Sequence, residues 1–491
     1  MTSDPKRLHP AAILFFLYKD LKNWIVPAII FVVAVYNQSK LWSILGLFAL
    51  LLLITAVDII RYRTFSYQFF DDEILVRSGI FVKKVNHIPY DRIQNITANQ
   101  WFFLRPFKLE ELEIETAGHS EGPEVSLVAV PVKLKDELNH YRQQFNSEEV
   151  TQNVSQETFS MEKPIKQGIT EYSITWRELL KFSLTSPAFL SGLLVVLAFY
   201  GKVQQSLSKQ FYEAAANEFV HLGWILVVIG LIIILLFFYL ISVLVLIAKY
   251  YHFHLEKEDS QFRMQYGFFK AKKTSISQNR IQAVVVKQTL LRRMLHIASV
   301  KLVIISNSKK GETEKDIVVM PVIETAKLND FLKKFFPHIP VDELKVKPAA
   351  AKTYYYDLRN AMIFSVITDI VLGSIMFKLS VWWLVAIVIV SALFWLPPAY
   401  LNARRARITL MNDDYVFLQN NQVTSKNSYF VPKSSIQLLE RRQSVWLSNK
   451  KFAHILLNCR SGIETRVLKV KYLPQEQIDE VVAWYKKGAN S

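Results

Sequence analysis

Residues Leu222 to Ala248 read LGWILVVIGLIIILLFFYLISVLVLIA and are followed at once by Lys249. The stretch carries no charged side chain, and as a helix rising about 1.5 Å per residue it exceeds the roughly 30 Å hydrocarbon core of a bilayer. It decides the fold class, because a uniformly apolar helix of this length belongs in lipid. Working outward, Leu41 to Ile60, Phe182 to Tyr200 and Val381 to Leu401 are also long enough to span, and Ala361 to Phe377 is shorter but has apolar neighbours. The first hydrophobic stretch is broken by Lys19, Asp20 and Lys22, so it reads as an interfacial segment running into a span over Trp24 to Tyr36. The six spans pair into three hairpins through short or polar connections at 37–40, 201–221 and 378–380.

Arg61, Arg63, Lys249, Arg404, Arg405 and Arg407 directly follow the second span of each pair. The positive-inside rule then puts both termini and all three polar regions in the cytoplasm of a multi-pass cell-membrane protein. No short apolar core with a small-residue cleavage site opens the sequence, so the first span is expected to be retained. The single cysteine, Cys459, leaves no partner for an intramolecular disulfide and reads as a packed, inert thiol.

The formal charge of +17 is unevenly spread. Residues 61–150 are net acidic, whereas 249–350 and 402–491 are strongly basic. Basic regions beside spanning helices read first as orientation signals and as attraction to anionic lipid. Nucleic-acid binding would need a reading motif, and the sequence offers none.

The polar regions repeat one pattern. Strand-like alternation opens each, at Tyr67 to Val76, Phe253 to Met264 and Ile408 to Leu418, and the first two then turn at Gly79-Ile80-Phe81 and Gly267-Phe268-Phe269. A firmer register follows in Arg92-Ile93-Gln94 with Gln100, Arg280-Ile281-Gln282 with Gln288, and Ser435-Ile436-Gln437 with Gln443. Each region closes in an amphipathic helix, marked by Leu134, Leu138 and Tyr141, by Leu328, Phe331, Leu332 and Phe335, and by Ile478, Val481, Val482 and Tyr485. The fold class is therefore α+β.

Residues 1–66 hold an N-terminal interfacial segment and the first hairpin, and 67–145 the first polar domain. A linker at 146–170 leads to an interfacial segment and second hairpin at 171–249 and a second domain at 250–336. A linker at 337–353 precedes the third hairpin, 354–403, and a divergent third domain, 404–487. The polar linkers suggest partly independent units.

Two spans followed by a domain with Arg-Ile-Gln, a later Gln and a Gly-Ile-Phe-type turn resemble the bacterial membrane proteins that carry the second type of bacterial pleckstrin-homology-like domain, in their long three-copy form. The resemblance covers nearly the whole chain. It implies that each domain is a seven-stranded, strongly bent sheet, a PH-like sandwich or partly open barrel, with a C-terminal helix. It also implies association with a one-copy relative or with further copies, and a role in envelope maintenance or stress. The third copy departs from the pattern, with Ser435 in place of Arg and Asn420-Asn421-Gln422 in place of the glycine turn.

The sequence has no phosphate-cradling glycine loop, paired metal histidines, nucleophile elbow or cysteine cluster, so neither an enzyme nor a cofactor is expected. His252 and His254 share a strand face without a third ligand and read as strand residues. Arg92, Ile93, Gln94, Gln100, Arg280, Ile281, Gln282, Gln288, Ile436, Gln437 and Gln443 recur in register and read as architecture. The lipid-contact candidates are Lys270, Lys272, Lys273, Lys287, Arg292 and Arg293, flanking Phe268 and Phe269, together with Arg441, Arg442, Lys450 and Lys451. Asp369 falls within the fifth span, where a carboxylate needs a partner, Thr368 or a neighbouring helix. Asp58 lies within a turn of Arg61 and is expected to pair with it.

The expected function is a non-enzymatic scaffold of the cytoplasmic membrane. Its tandem domains would meet the bilayer, anionic headgroups, peptides or other protein chains. The alternative is a channel or transporter formed by the six spans, which would need a continuous polar lining.

Overall fold

A computed structural model describes residues 4–36, 39–116, 123–139, 141, 170–186, 209–258, 261–304, 317–344, 346, 348–375, 381–422, 425–461 and 464–487. The chain divides into two compact units. One comprises Met1–Gln167, Ser183–His254 and Arg263–Ile276, and the other Gly168–Phe182, Leu255–Phe262 and Ser277–Ser491.

In the first unit, helices α1 (Ala12–Tyr36) and α2 (Lys40–Thr64) form a hairpin whose two ends meet one sheet. Strand β1 (Lys6–Arg7), from before the hairpin, pairs with β2 (Ser66–Phe69), from after it, with Lys6 opposite Tyr67. β3 (Glu73–Ser78) and β4 (Lys84–Pro89) complete an antiparallel sheet in the order β1-β2-β3-β4. β5 (Ile93–Trp101), β6 (Leu109–Thr116) and β7 (Val125–Pro131) form a second layer, and helix α3 (134–139) closes the repeat. Ile74, Ile88, Ile96, Leu112, Ile114, Leu127 and Leu138 fill the space between the layers and are almost wholly buried. At about 1.5–3 kcal/mol for each such side chain, this core is the main force closing the sandwich. Phe15 and Phe16 of α1 join it, which ties the hairpin to the domain.

The second repeat begins with β8 (Thr170–Ser173) and α4 (Trp176–Leu184), and after the helix α5 (Lys209–Tyr250) come β9 (His254–Glu258), β10 (Gln261–Tyr266) and β11 (Lys270–Ser277). Within the first unit, β11 pairs antiparallel with β5 of the first repeat, Gln100 lying opposite Ala271, Asn99 opposite Lys272 and Ala98 opposite Lys273. Acidic β6 lies beside that joint. Lys270 Nζ is 3.6 Å from Glu111 Oε2 and 4.8 Å from the centre of the Trp101 ring, and Trp101 Nε1 donates to the same carboxylate at 3.1 Å. Phe102 N donates to Phe269 O at 2.8 Å, their rings lie 6.2 Å apart, and Arg105 Nη2 donates to Phe268 O at 2.7 Å.

In the second unit, β12 (Ile281–Gln288), helix α6 (Leu290–Met294), β13 (Ile297–Ile304), β14 (Ile317–Glu324) and α7 (Leu328–Phe335) finish the second repeat. The third repeat follows a hairpin of α8 (Ala351–Ile375) and α9 (Val381–Arg405). It comprises β15 (Arg407–Leu410), β16 (Tyr415–Gln422), β17 (Ser425–Pro432), β18 (Ile436–Arg442), α10 (Val445–Ser448), β19 (Phe452–Ser461), β20 (Glu464–Pro474) and α11 (Gln475–Lys487). A six-stranded sheet runs β14-β13-β12-β17-β16-β15, and a three-stranded one β18-β19-β20. Gln288 lies opposite Lys426, Lys287 opposite Asn427 and Val286 opposite Ser428, so β12 receives β17 in the register with which β5 receives β11. Ile408, Val416, Val431, Ile455, Leu457, Leu468, Val470, Ile478 and Val481 form the core of the third repeat with Cys459, which is a packed thiol.

The recurring motif has a structural meaning. Arg92, Arg280 and Ser435 each end a 3-10 turn (Tyr90–Arg92, Gln278–Arg280, Lys433–Ser435), and Ile93, Ile281 and Ile436 start the strand that enters the second layer. The ladder then skips Gln94, Gln282 and Gln437, so the motif glutamine is the extra residue of a bulge that bends the chain between sheets. Gln288 Nε2 donates to Ile297 O at 3.4 Å and Gln443 Nε2 to Phe452 O at 3.0 Å, binding the strand to the start of its neighbour.

Several expectations change in detail. Among the described residues, seven strands serve each of the first two repeats, one of them from before the hairpin, and six serve the third. The repeats are less independent than their linkers suggest, since β5·β11 and β12·β17 join them. The linker 146–170 lies outside the described residues apart from Thr170. In place of the glycine turn, β16 continues through Asn420-Asn421-Gln422, and Gln422 pairs with Ser425 of β17. Among the described residues, three helical segments, Lys40–Thr64, Ile232–Tyr250 and Leu384–Arg405, are long and apolar enough to cross a membrane. The expected span from Phe182 to Tyr200 falls mostly outside the described residues.

Two measurements check this account. Gly267 has φ +118°, and a Cβ there would strike the Lys270 carbonyl. Gly267→Ala should therefore destabilise the chain by roughly 1–3 kcal/mol in thermal or denaturant unfolding. Burial, opposed by Lys135 and Lys273, pushes the Glu110 carboxyl from its ordinary 4.5 up to about 7. The folded chain thus holds an extra proton between those values, and stability is lost as pH rises through that window. Glu110→Gln should gain on the order of 2 kcal/mol relative to the parent at pH 8 and almost nothing near pH 4.5.

Candidate functional site

The end of helix α9 delivers Arg404 and Arg405 to the base of the third repeat, and Arg407 opens β15 directly afterwards. Arg405 is 4% exposed, although a guanidinium is costly to bury without compensation. Its Nη1 donates to Asn421 Oδ1, and Asn421 pairs with Lys426 across the β16–β17 hairpin. Lys426 in turn lies opposite Gln288, the last residue of β12, after which the chain enters α6 with Arg292 and Arg293. Strand pairing therefore draws Arg293, Arg405, Arg407 and Lys426 together. Burial, then the positive charges of Arg405, Arg293 and Arg407, push the Lys426 ammonium below its ordinary range. The charges that act on Lys426 in this way all belong to guanidinium groups. Among the described residues, Arg405 Nη2, Arg407 Nε and Thr289 Oγ1 are buried and have no hydrogen-bond partner.

A cavity of about 380 Å³ opens beside this cluster, lined by Asp357, Asn402, Asn420, Asn421, Lys469 and Lys471 among others. Asn421 belongs to both. Asn402 Nδ2 donates to Asp357 Oδ2 at 3.0 Å, and burial raises the Asp357 carboxyl to about 6 against the pull of that bond and of Lys471. Converging guanidinium forks and ammonium groups at the end of an apolar helix suit a phosphate group, whose oxygens accept several charge-assisted bonds at once.

The lipid-contact candidates from the sequence are dispersed. Lys270, Lys272 and Lys273 lie on β11 facing the carboxylates of β6. Among those carboxylates, burial foremost raises Glu113, with Glu111 acting in the same direction and Lys270 and Lys272 opposing it. Lys287 lies on β12 opposite Asn427. Arg292 is buried, donates to Ser299 Oγ at 2.6 Å and stacks 4.4 Å from the Phe182 ring, whereas Arg293 is exposed. Arg441 pairs with Asp479 at 2.9 Å and Arg442 with Glu440 at 2.6 Å. Lys450 and Lys451 are exposed in a turn, Lys451 in the left-handed region at φ 56°.

Sequence reasoning gave Arg405 and Arg407 an orienting role only and passed over Lys426. The available signal was a run of cations after the third hairpin, undiluted by acids. Of the intramembrane acids, Asp369 Oδ1 is buried without a hydrogen-bond partner among the described residues, because Thr368 donates to Phe364 O at 2.8 Å and accepts from Trp395 Nε1 at 3.2 Å. The expected Asp58–Arg61 pair is replaced: Arg61 lies 3.7 Å from Asp20 of the neighbouring helix and 4.9 Å from the Phe16 ring.

Comparison with known proteins agrees with this architecture. The family model described as bacterial PH domain matches residues 25–143, 207–335 and 363–489. The chain is 24% identical over 503 residues to the UPF0699 transmembrane protein YdbT of Bacillus subtilis (strain 168), covering 99% of each chain. No solved structure matches it. With three matches that together take in most of its length, the chain belongs to the bacterial PH-domain family and is a membrane protein carrying three copies of that domain.

Proposed function

We propose that this protein is a non-enzymatic scaffold of the cytoplasmic membrane. Six spans in three hairpins hold the PH-like domains at the cytoplasmic face, and the third repeat seats the phosphate of an anionic lipid. The observation that carries this reading is the cluster of Arg405, Arg407, Lys426 and Arg293 at the end of an apolar helix, in which Arg405 Nη2 and Arg407 Nε are buried without a hydrogen-bond partner among the described residues. A headgroup at the membrane surface reaches such a place without leaving its leaflet, and each nearby cation contributes about 1 kcal/mol.

The joints between repeats support the scaffold half of the reading, since domains sharing sheets hold their spacing where flexibly linked ones would not. The third hairpin is packed in a way that favours a scaffold over a channel or transporter. Ser365 and Ser391 hydrogen-bond to each other at 2.9 Å, and the rings of Phe364 and Trp395 stack at 5.4 Å.

Native mass spectrometry of the detergent-solubilised chain tests the lipid site. The parent should retain phosphatidylglycerol in preference to phosphatidylcholine, and Arg407→Gln with Lys426→Gln should lower that retention by roughly thirtyfold, as about 1 kcal/mol from each cation implies. Equal retention of both lipids by parent and variant would remove the site. Displacement by millimolar inorganic phosphate would identify a soluble anion as the ligand.

A further inference from the structure

Among the described strands, two sheet edges, those of β4 and β18, lack the partner that their counterparts have in other repeats. Each internal joint joins the first strand of one repeat's second layer to the last strand of the next repeat's first layer, as β5 with β11 and β12 with β17. By the same rule β18 of the third repeat should receive such a strand, and β4 of the first repeat should be received by one. Both are edges: β4 ends the sheet β1-β2-β3-β4, and β18 ends β18-β19-β20. Most of β4 and β18 is exposed or half-buried, whereas β12 is mostly buried between two neighbours.

The apolar tips of these edges tell the same story independently. In the first joint, Phe269 of the glycine turn packs on Phe102, just past the end of β5. The constant register of the repeat makes Phe81 the counterpart of Phe269, and makes Val445 and Trp446 the counterparts of Phe102 and Phe103. Phe81 is 98% exposed, Trp446 85%, Val445 78% and Val82 71%, and no other large hydrophobic side chain among the described residues is as exposed. Ordinary soluble surfaces do not hold aromatics in this state, and they do so least beside an open strand edge. The cations on β18 are no obstacle, since Asp479 and Glu440 already neutralise Arg441 and Arg442.

We propose that copies of this chain associate head to tail, β18 of one molecule pairing with β4 of the next and Phe81 docking against Val445 and Trp446. The occupant is a second copy because the receiving and inserted edges are both present in one sequence, and the strands equivalent to them already pair twice within it. The internal register carries over directly, setting Gln443 opposite Lys83, Arg442 opposite Lys84 and Arg441 opposite Val85. Such a contact is heterologous, so it extends into a row or closes into a ring rather than stopping at a symmetric dimer. It is independent of the lipid site, which lies on other residues.

Disulfide trapping with the full chain tests the register, since residues directly opposite one another are close enough to be bridged. Two differently tagged variants, Val85→Cys and Arg441→Cys, are mixed in reconstituted bilayers and oxidised. The cross-linked product should contain one of each tag, and Val85→Cys mixed with Gln437→Cys, displaced along β18, should give little. Phe81→Ser and Trp446→Ser alter exposed side chains, so each should leave the unfolding midpoint unchanged while reducing the mixed product about tenfold, the effect of losing about 1.4 kcal/mol.

Three outcomes overturn the proposal. One is that only like-tagged Val85→Cys dimers form. Another is that the chain stays monomeric by mass photometry and no cross-link appears. The last is quenching of Trp446 by brominated lipid in a monomeric chain, which would give the aromatic tips to the bilayer.

Discussion

A strand at the edge of a sheet presents a row of backbone N–H and C=O groups that must be paired, covered or left to water. The rest of this protein is organised around that requirement. Each repeat splits its strands between two layers, which leaves an edge on each layer. Four of the layer edges are satisfied by passing strands from repeat to repeat, β11 to β5 and β17 to β12. Backbone pairing is indifferent to side chains, so one joint can recur between repeats that differ greatly in sequence. The bulges at Gln94, Gln282 and Gln437 are what make it possible, because each re-aims the chain from one layer into the other.

The charge asymmetry of the sequence follows from the same joints. Glu110, Glu111 and Glu113 of β6 lie near Lys270, Lys272 and Lys273 of β11, so the acidic first repeat and the basic second one are complementary. Partial burial makes these charges interact more strongly than exposed ones would, and it also raises the carboxyls that it desolvates. At the second joint Lys426 lies instead near Arg293, Arg405 and Arg407, whose positive charges lower its pKa. The same geometry thus gives a neutralised seam in one place and a concentrated positive site in the other. The second lies at the end of an apolar helix, where the headgroup proposed above would supply the missing charge.

The repeat also shows how a backbone feature can be invisible in composition. Lys108, His296 and Lys451 occupy one repeat position and all adopt left-handed backbone, with φ between 52° and 56°. The peptide N–H of Gln475 donates to the carbonyl of Lys451 and that of Thr325 to the carbonyl of His296, which fixes the turn in both later repeats. No glycine marks it, so only the folded chain shows that Lys451 has an architectural task beside any surface role.

Apolar length, period-2 alternation and the recurrence of Arg-Ile-Gln are local properties, and they were enough to establish a membrane-associated α+β chain with three repeats ending in amphipathic helices. Cys459 as a core residue was legible for the same reason, lying within an apolar strand. Which strands meet, and which cations meet, depends on residues far apart in the chain. Lys270 found Glu111 and Arg405 found Asn421 because the ladders brought them together, and no spacing in the sequence encodes those distances. Strand pairing between repeats is carried by backbone groups that every residue shares, so its partners were decided by the tertiary structure alone.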